Sequence, residues 1–307
     1  MNKKITVLLA THNSEKYISQ QLDSLLNQTF KDSISIVISD DASTDSTVSI
    51  INGYLEKYPF ISLVKSDVPL KSPQANFWFL LKNTHVSDYY MFCDHDDVWL
   101  KDKIEKTYNL MQEVEENKPA LVHSDLFVVD SSLNILSDSM FATQGLNKAP
   151  TLKNALIQSS VTGCTMMINN ALREIAIKKE TTENMIMHDW YLTILALICG
   201  NVGFVNEPLI LYRQHGNNQV GAKNTKSFSY IINKATQIKK NKENIKNTYL
   251  QAKDIYDIFN DNTENFSLVK AYADNLNKGK AGRIRSAFKY GFWKNSFLRK
   301  LGQILFM

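Results

Sequence analysis

The sequence predicts an α/β fold, a mostly parallel central sheet with helices on both faces, followed by a helical extension. Three observations carry this. Continuously apolar runs rich in β-branched residues alternate with stretches whose apolar residues recur at helical spacing. The runs lack the polar alternation of a half-solvated sheet, as expected of strands buried on both faces. Past residue 221 the chain becomes Lys- and Asn-rich, helical in pattern and poor in β-formers.

Taken in order, "MNKKITVLLATHN" has a basic start but only a short apolar run. It breaks at Thr11-His12-Asn13 without a small-residue cleavage site, so it reads as a first strand rather than a targeting segment. Ile18, Leu22, Leu25 and Leu26 then fall at helical spacing, "ISIVIS" is a strand, and Val48, Ile51 and Leu55 mark a second helix. The rhythm continues through the strand "ISLV", a helix over "QANFWFLLK", the strand "YYMFC", a helix from Lys101 to Glu116 and the strand "ALVHSDLFVV". From Asp130 to Pro150 a polar loop is expected. After it come a helix near Leu152 to Gln158, a strand around "CTMMI", a helix from Asn170, a long apolar helix after Asp189 and two short strands, "VGFV" and "LILY". The boundary is placed between residues 221 and 222, with residues 222–307 as the basic helical extension. The longest apolar stretch, "WYLTILALICGNVGFV", is interrupted by Gly200-Asn201 and falls short of the roughly 20 residues a membrane span needs.

Residues 1–220 carry 18 Lys and Arg against 25 Asp and Glu, while residues 221–307 carry 17 against 6. A basic tail on an acidic body suits an anionic surface. No nucleic-acid recognition motif accompanies the charge, so a nucleic-acid partner is not expected. The final segment, "RIRSAFKYGFWKNSFLRKLGQILFM", mixes basic and aromatic residues in a pattern that suits an anionic membrane interface, or else a helix docked on the body by its apolar stripe. Three scattered cysteines, Cys93, Cys164 and Cys199, form neither a disulfide framework nor a zinc pattern, which favours a reducing, cytoplasmic setting.

Ligands of open α/β sheets bind outside the carboxyl ends of the strands. That singles out Thr11, His12 and Asn13 after the first strand, Asp40, Asp41 and Asp45 in "SDDASTD" after the second, and Asp94, His95, Asp96 and Asp97 in "MFCDHDDVWL". Asp45 suits a helix N-cap, which does not also explain Asp40 and Asp41. Three carboxylates within four residues behind a buried run repel one another unless something cationic sits among them. Mg²⁺ or Mn²⁺ takes one or two carboxylates and fills its shell with water and substrate phosphates; a solvated acidic turn is the plainer alternative. Trp99 reads as packing beneath this cluster. Asp189 opens an apolar helix, where an acid either complements the macrodipole or serves as a base. Arg213 and His215 in "LYRQHGNNQV" follow a strand, and a lone histidine is usually structural.

The ordered series "VLLATHNSEKYISQQLDSLLNQTF", "ISDDASTDST", "FCDHDDVWLKDKI", "TGCTMMIN", "MHDWYL" and "LYRQHGNN" resembles the inverting nucleotide-sugar glycosyltransferases of family 2, which have the GT-A fold, over roughly Ile5 to Gly221. The acidic stretch followed by Val-Trp is similar to bacterial rhamnosyltransferases that build cell-surface polysaccharides. Those commonly read Asp-Gln-Asp-Asp where this chain has Asp94-His95-Asp96-Asp97. The resemblance implies that Thr11, Asn13 and Asn76 line the nucleotide-sugar pocket, that Asp40 or Asp41 accepts a hydrogen bond from a pyrimidine N3–H, and that Asp94 contacts ribose or sugar hydroxyls. The base pairing is chemically apt, since a carboxylate is acceptor-only and an imide is a donor. Asp96 and His215 would ligate Mg²⁺ or Mn²⁺, Arg213 would contact phosphate, and His95 competes for either task. Gly163 and Cys164 would form an acceptor-side turn, Trp190 an acceptor wall, and Asp189 the general base. The implied donor is dTDP-rhamnose or a UDP-hexose, and the acceptor a glycan or lipid-linked hydroxyl at the inner face of the membrane.

Two other classes compete. "YYMFCDHDDV" fits the strand and acid pair of haloacid-dehalogenase-like phosphohydrolases, in which the first acid is a nucleophile. No paired-acid loop follows Asp97 to complete such a site, and that family places its nucleophile on the first strand. A non-catalytic receiver-like or nucleotide-binding module would account for Asp40-Asp41 but leaves "HDW" and "YRQH" unused.

Overall fold

A computed structural model of the chain describes residues 3–30, 32–215, 238–259 and 263–307. The boundary expected at 221/222 lies outside the described residues. Strands β1 (Lys4–Thr11), β2 (Ser33–Asp40), β3 (Ile61–Val64) and β4 (Tyr89–Asp94) are all parallel, in the order β3-β2-β1-β4. Helices α1 (Ile18–Leu26), α2 (Thr47–Lys57) and α3 (Pro73–Asn83) connect them. On β1, Ile5, Val7 and Leu9 turn toward Leu22 and Leu25 of α1 and Ile51 of α2, while Leu8 and Ala10 turn toward Phe77 and Leu81 of α3. Both faces of the strand are covered by apolar side chains, so its two-residue period shows in the sequence as an unbroken apolar run. Helix α3 starts where Ser72 accepts a hydrogen bond from the Ala75 N–H at 3.1 Å and Pro73 takes the first helical position.

Beyond β4 follow β5 (Val98–Trp99), α4 (Lys103–Val114), β6 (Ala120–Val129), β7 (Ile135–Ser137), α5 (Met140–Gln144), α6 (Leu152–Ala155), β8 (Met167–Asn169), α7 (Asn170–Ala176), α8 (His188–Cys199) and β9 (Asn201–Arg213). The sheet continues β4-β8-β6-β9-β5, with β7 paired to β6. β8 is antiparallel to both β4 and β6, β9 is parallel to β6, and β5 is antiparallel to β9. The sheet is therefore parallel in its first half and mixed in its second.

Three sequence expectations are corrected here. The stretch from Asp130 to Pro150 is not all loop, since it holds β7 and α5. "VGFV" and "LILY" are one strand, β9, whose register against β6 slips beside Asp125 and Pro208; the irregularity absorbs a proline that reads as a break. The strand expected at "CTMMI" begins only at Met167, after a 3₁₀ turn at Gly163–Thr165.

Helices α9 (Ile238–Phe259), α10 (Glu264–Ala273), α11 (Lys280–Tyr290) and α12 (Phe297–Phe306) form the C-terminal region. Tyr249, Ile255, Val269, Tyr272 and Phe292 share one core cluster with Trp78 of α3 and with Tyr191 and Leu195 of α8. The Lys179 ammonium reaches the Asp254 carboxylate at 2.6 Å, and the Ile186 N–H donates to Gln251 Oε1 at 2.8 Å. These helices dock on the body by an apolar stripe. Among the described residues, no helix is long and apolar enough to cross a membrane.

Candidate active site

Parallel register sets the floor of the site. Thr11 stands beside Asp40 and Ala10 beside Asp94, which brings the carboxyl ends of β1, β2 and β4 level. At the β1/β2 end, Asp40 accepts from Thr11 Oγ1 at 2.8 Å, from the Ser43 N–H at 2.9 Å and from Ser43 Oγ at 2.6 Å. Much of its acceptor capacity holds the turn. Asp41 Oδ1 accepts from the Leu70 N–H at 2.6 Å, and its other oxygen has no hydrogen bond among the described residues. Asn13 is exposed, with φ 46°, and its Oδ1 accepts from the Thr44 N–H at 2.8 Å. Ala42 is likewise left-handed, at φ 57°, so both turns fold tightly over the strand ends. Asp45 accepts from the Thr47 N–H at 3.0 Å, helping to start α2. Asn76, expected in the pocket, is 2% exposed; its amide donates to the Ser39 C=O at 3.1 Å and braces the strand ends from below.

The acidic turn lies between β4 and β5. Because β5 pairs with β9 at Val98–Leu211, the end of β9 is carried up against the turn. The Arg213 N–H donates to Asp97 Oδ1 at 3.1 Å, and Nε donates to the Asp96 C=O at 2.7 Å. Its other guanidinium nitrogens donate to the Ser131 C=O at 2.7 Å and to Gln20 Oε1 at 2.5 Å, and the group stacks over Tyr17 at 4.5 Å. Arg213 was expected to meet phosphate. At 2% exposed, it is instead buried and committed to bracing the acidic turn. His215 Nε2 lies 2.8 Å from Asp96 Oδ2, and its ring stacks on Tyr17. His95 points back toward the Ala10 C=O, with Nδ1 at 3.3 Å.

Asp189 stands in the first turn of α8. Oδ2 accepts from the Gly163 N–H at 2.9 Å and Oδ1 from the Trp190 N–H at 2.6 Å. Burial pushes its carboxyl up to about 6, against these two hydrogen bonds, which lower it. Asp94 is pushed up to about 7, first by burial and then by the charges of Asp96 and Asp189. Burial and the same neighbouring acids push Asp97 up as well. Asp94 and Asp189 nevertheless keep part of their surface in solvent. Among the described residues neither has a Lys or Arg salt-bridge partner, and Asp96 pairs only with His215. Such a site is short of positive charge.

Cys164, expected on the acceptor side, is 1% exposed and sits beneath the acids, clustered within 4.8 Å with Asp94 and Asp97. A thiol whose pKa burial raises is a poor ligand for a hard cation. Asp96 and His215, 2.8 Å apart, offer the oxygen and nitrogen donors that Mg²⁺ or Mn²⁺ accepts. Gly163 is where it is because a Cβ there would lie 2.7 Å from His188 Nε2. Trp190 is half-buried, and its indole N–H donates to the Ala155 C=O at 2.5 Å.

Sequence reasoning missed Lys103 and Tyr17. Lys103 is fully buried, with its ammonium 3.2 Å from the centre of the Trp99 ring, no hydrogen-bond partner among the described residues, and a pKa that burial lowers to about 7. No local spacing announced it, because Trp99 lies on β5 and the helix begins only at Lys103. Tyr17, which supports both Arg213 and His215, left no signal either.

A Rossmann-like half-sheet with acids at its carboxyl edge, extended by a mixed half-sheet that returns an Arg-x-His strand end to those acids, defines a GT-A glycosyltransferase. Residues 6–174 match the glycosyl transferase family 2 profile, and the chain belongs to that family, whose members invert the transferred centre. It is 31% identical over 223 residues to the dTDP-rhamnosyl transferase RfbG of Shigella flexneri, covering 70% of this chain and 74% of that one. The structure is similar to S. aureus TarS 1–349 in complex with UDP-GlcNAc, with a TM-score of 0.59 and 17% identity, over 94% of this chain and 73% of that one. It is also similar to the mannosyltransferase PcManGT of Pyrobaculum calidifontis in complex with GDP-Man and Mn²⁺, with a TM-score of 0.57 and 15% identity, over 94% and 74%. Family membership removes the phosphohydrolase and non-catalytic alternatives.

Proposed function

We propose that the chain moves rhamnose from dTDP-rhamnose, or a related hexose from a UDP donor, to a hydroxyl of a glycan or lipid-linked acceptor on the cytoplasmic face of a membrane, with Mg²⁺ or Mn²⁺ at the acidic turn. The carrying observation is the gathering of the carboxylates Asp94, Asp96 and Asp189, the second buried and the other two partly exposed, with no Lys or Arg salt-bridge partner among the described residues. The 31% identity to a dTDP-rhamnosyl transferase supports the donor.

Asp41, with an oxygen to spare, accepts from the base, and Thr11 and Asn13 frame that pocket. Asp96 and His215 would hold the cation, which when bound stabilises charge on the departing diphosphate. Asp94 meets sugar or ribose hydroxyls. The N–H groups of Gly163 and Trp190 fix the Asp189 carboxylate on the opposite side of the site. As the acceptor oxygen bonds to the anomeric carbon and the bond to the diphosphate breaks, the hydroxyl proton passes to Asp189. Attack from the side away from the leaving group inverts the centre.

Thermal-shift titration with dTDP, UDP and GDP, each with and without Mn²⁺, tests this. A nucleotide at a hundredfold excess over its Kd adds about 2.7 kcal/mol. The expected result is the largest rise with dTDP plus Mn²⁺. No rise with any of the three, with or without the ion, overturns the proposal.

A further inference from the structure

A groove of about 940 Å³ runs between α12, α9 and the start of α8. Ile157, Ile186 and Trp190 are part of its lining, so it reaches the residue that follows Asp189. Tyr249 and Tyr272 contribute to its wall. The indole N–H of Trp190 is satisfied by Ala155, so the ring brings no unmet polar group into the groove. Helix α12 is only ten residues long yet leaves Phe297, Leu298, Leu301 and Leu305 between 48% and 73% exposed. An apolar patch of that density marks a contact surface. Lys294 and Arg299 also line the groove, Lys300 follows them, and residues 275–307 hold eight Lys and Arg and no acid. Mostly apolar walls beside the basic residues Lys294, Arg299 and Lys300 complement an anionic amphiphile.

Resting on the glycosyltransferase reading, we propose that this groove holds the hydrocarbon tail of a phosphate-linked lipid acceptor, with Lys294 and Arg299 along the groove facing its phosphate. The tail, rather than the sugar alone, then positions the acceptor hydroxyl. Gly302 lines the groove, and a Cβ there meets nothing nearer than Phe306 at 3.8 Å. Gly302→Trp therefore fills the groove without touching the acidic turn.

The test is calorimetric titration of the whole chain with hexadecyl phosphate and butyl phosphate, below the micelle concentration of the former, together with dTDP and Mn²⁺ as a separate arm. The expected result is at least about tenfold tighter binding of the long chain, because buried methylenes carry the affinity. Gly302→Trp is expected to abolish that preference while dTDP binding stays at the wild-type value. Equal affinity for the two chain lengths overturns the proposal, as does Gly302→Trp binding hexadecyl phosphate like the wild type. Co-sedimentation with phosphatidylglycerol vesicles separates an acceptor tail from bulk lipid. Leu301→Ser/Leu305→Ser is expected to lose the vesicles and Gly302→Trp to keep them; loss in both makes the groove part of a bilayer-adhesion surface and overturns the proposal. Absence of dTDP binding beside intact hexadecyl phosphate binding would remove the dTDP-donor reading and leave the groove standing.

Discussion

Replacing Asp189 by asparagine removes one negative charge and changes almost no volume. The carboxylate accepts from the Gly163 N–H at 2.9 Å and the Trp190 N–H at 2.6 Å. An amide keeps one of these and turns an NH₂ toward the other, a loss of about 1–3 kcal/mol. Against that stands the rise of the carboxyl from 3.8 to about 6, mainly by burial, which penalises the charged form by about 3 kcal/mol at most. Partial solvent exposure reduces that figure. The two effects oppose each other at similar size, so the variant stays folded, with a Tm within a few degrees of wild type. Turnover behaves differently, because a general base contributes about 10²- to 10⁴-fold. The assay pairs transfer of labelled sugar to membrane acceptor with a thermal-shift measurement of dTDP binding. The expected outcome is transfer down by at least about a hundredfold and nucleotide binding unchanged. If Asp189→Asn retains more than about a tenth of wild-type turnover, Asp189 is not the base.

The proposed base must be deprotonated and its pKa is raised to about 6, so kcat/KM is expected to fall about tenfold per unit below pH 6 and to be flat above about 7. An acid limb near pH 4, where an unperturbed carboxylate titrates, contradicts this. Asp96→Ala, which removes the carboxylate 2.8 Å from His215, is expected to lose the Mn²⁺-dependent part of dTDP stabilisation and keep the cation-free part; an undiminished Mn²⁺ increment places the ion elsewhere. Gly163→Ala drives a methyl to 2.7 Å from His188, whose ring is held between Phe77 and Phe92 with centroids at 4.4 and 5.0 Å, so it costs about 1–3 kcal/mol and displaces the N–H that orients Asp189. Both Tm and kcat are expected to fall, and a neutral variant refutes the wedge.

The first four strands were legible because a run such as Ile5–Ala10 buries alternate residues against two different helical layers, and its one polar residue, Thr6, is buried and hydrogen-bonded to Ser87 rather than turned to solvent. Strands β5 and β8, of two and three residues, are too short for any period to show. β9 was misread at Asn206-Glu207-Pro208, since a proline inside a strand looks like its end until the partner's register slip is seen. The acids of the site announced themselves by their density. What they touch did not: whether Arg213 faces phosphate or the backbone of its own turn, and whether Cys164 lines a cleft or lies beneath it, depends on side-chain direction at strand ends, which no local pattern encodes.

His188 and Asp189 stand side by side in sequence, as an acid and base pair might. Yet the imidazole is 2% exposed, stacked among aromatic rings with both nitrogens unpartnered, and burial lowers its pKa to about 3. At physiological pH it is an uncharged aromatic spacer, as inert to protons as the phenylalanines around it. No relay runs through it, and if Asp189 is the base as proposed, its proton leaves by the solvent-exposed part of its own carboxylate.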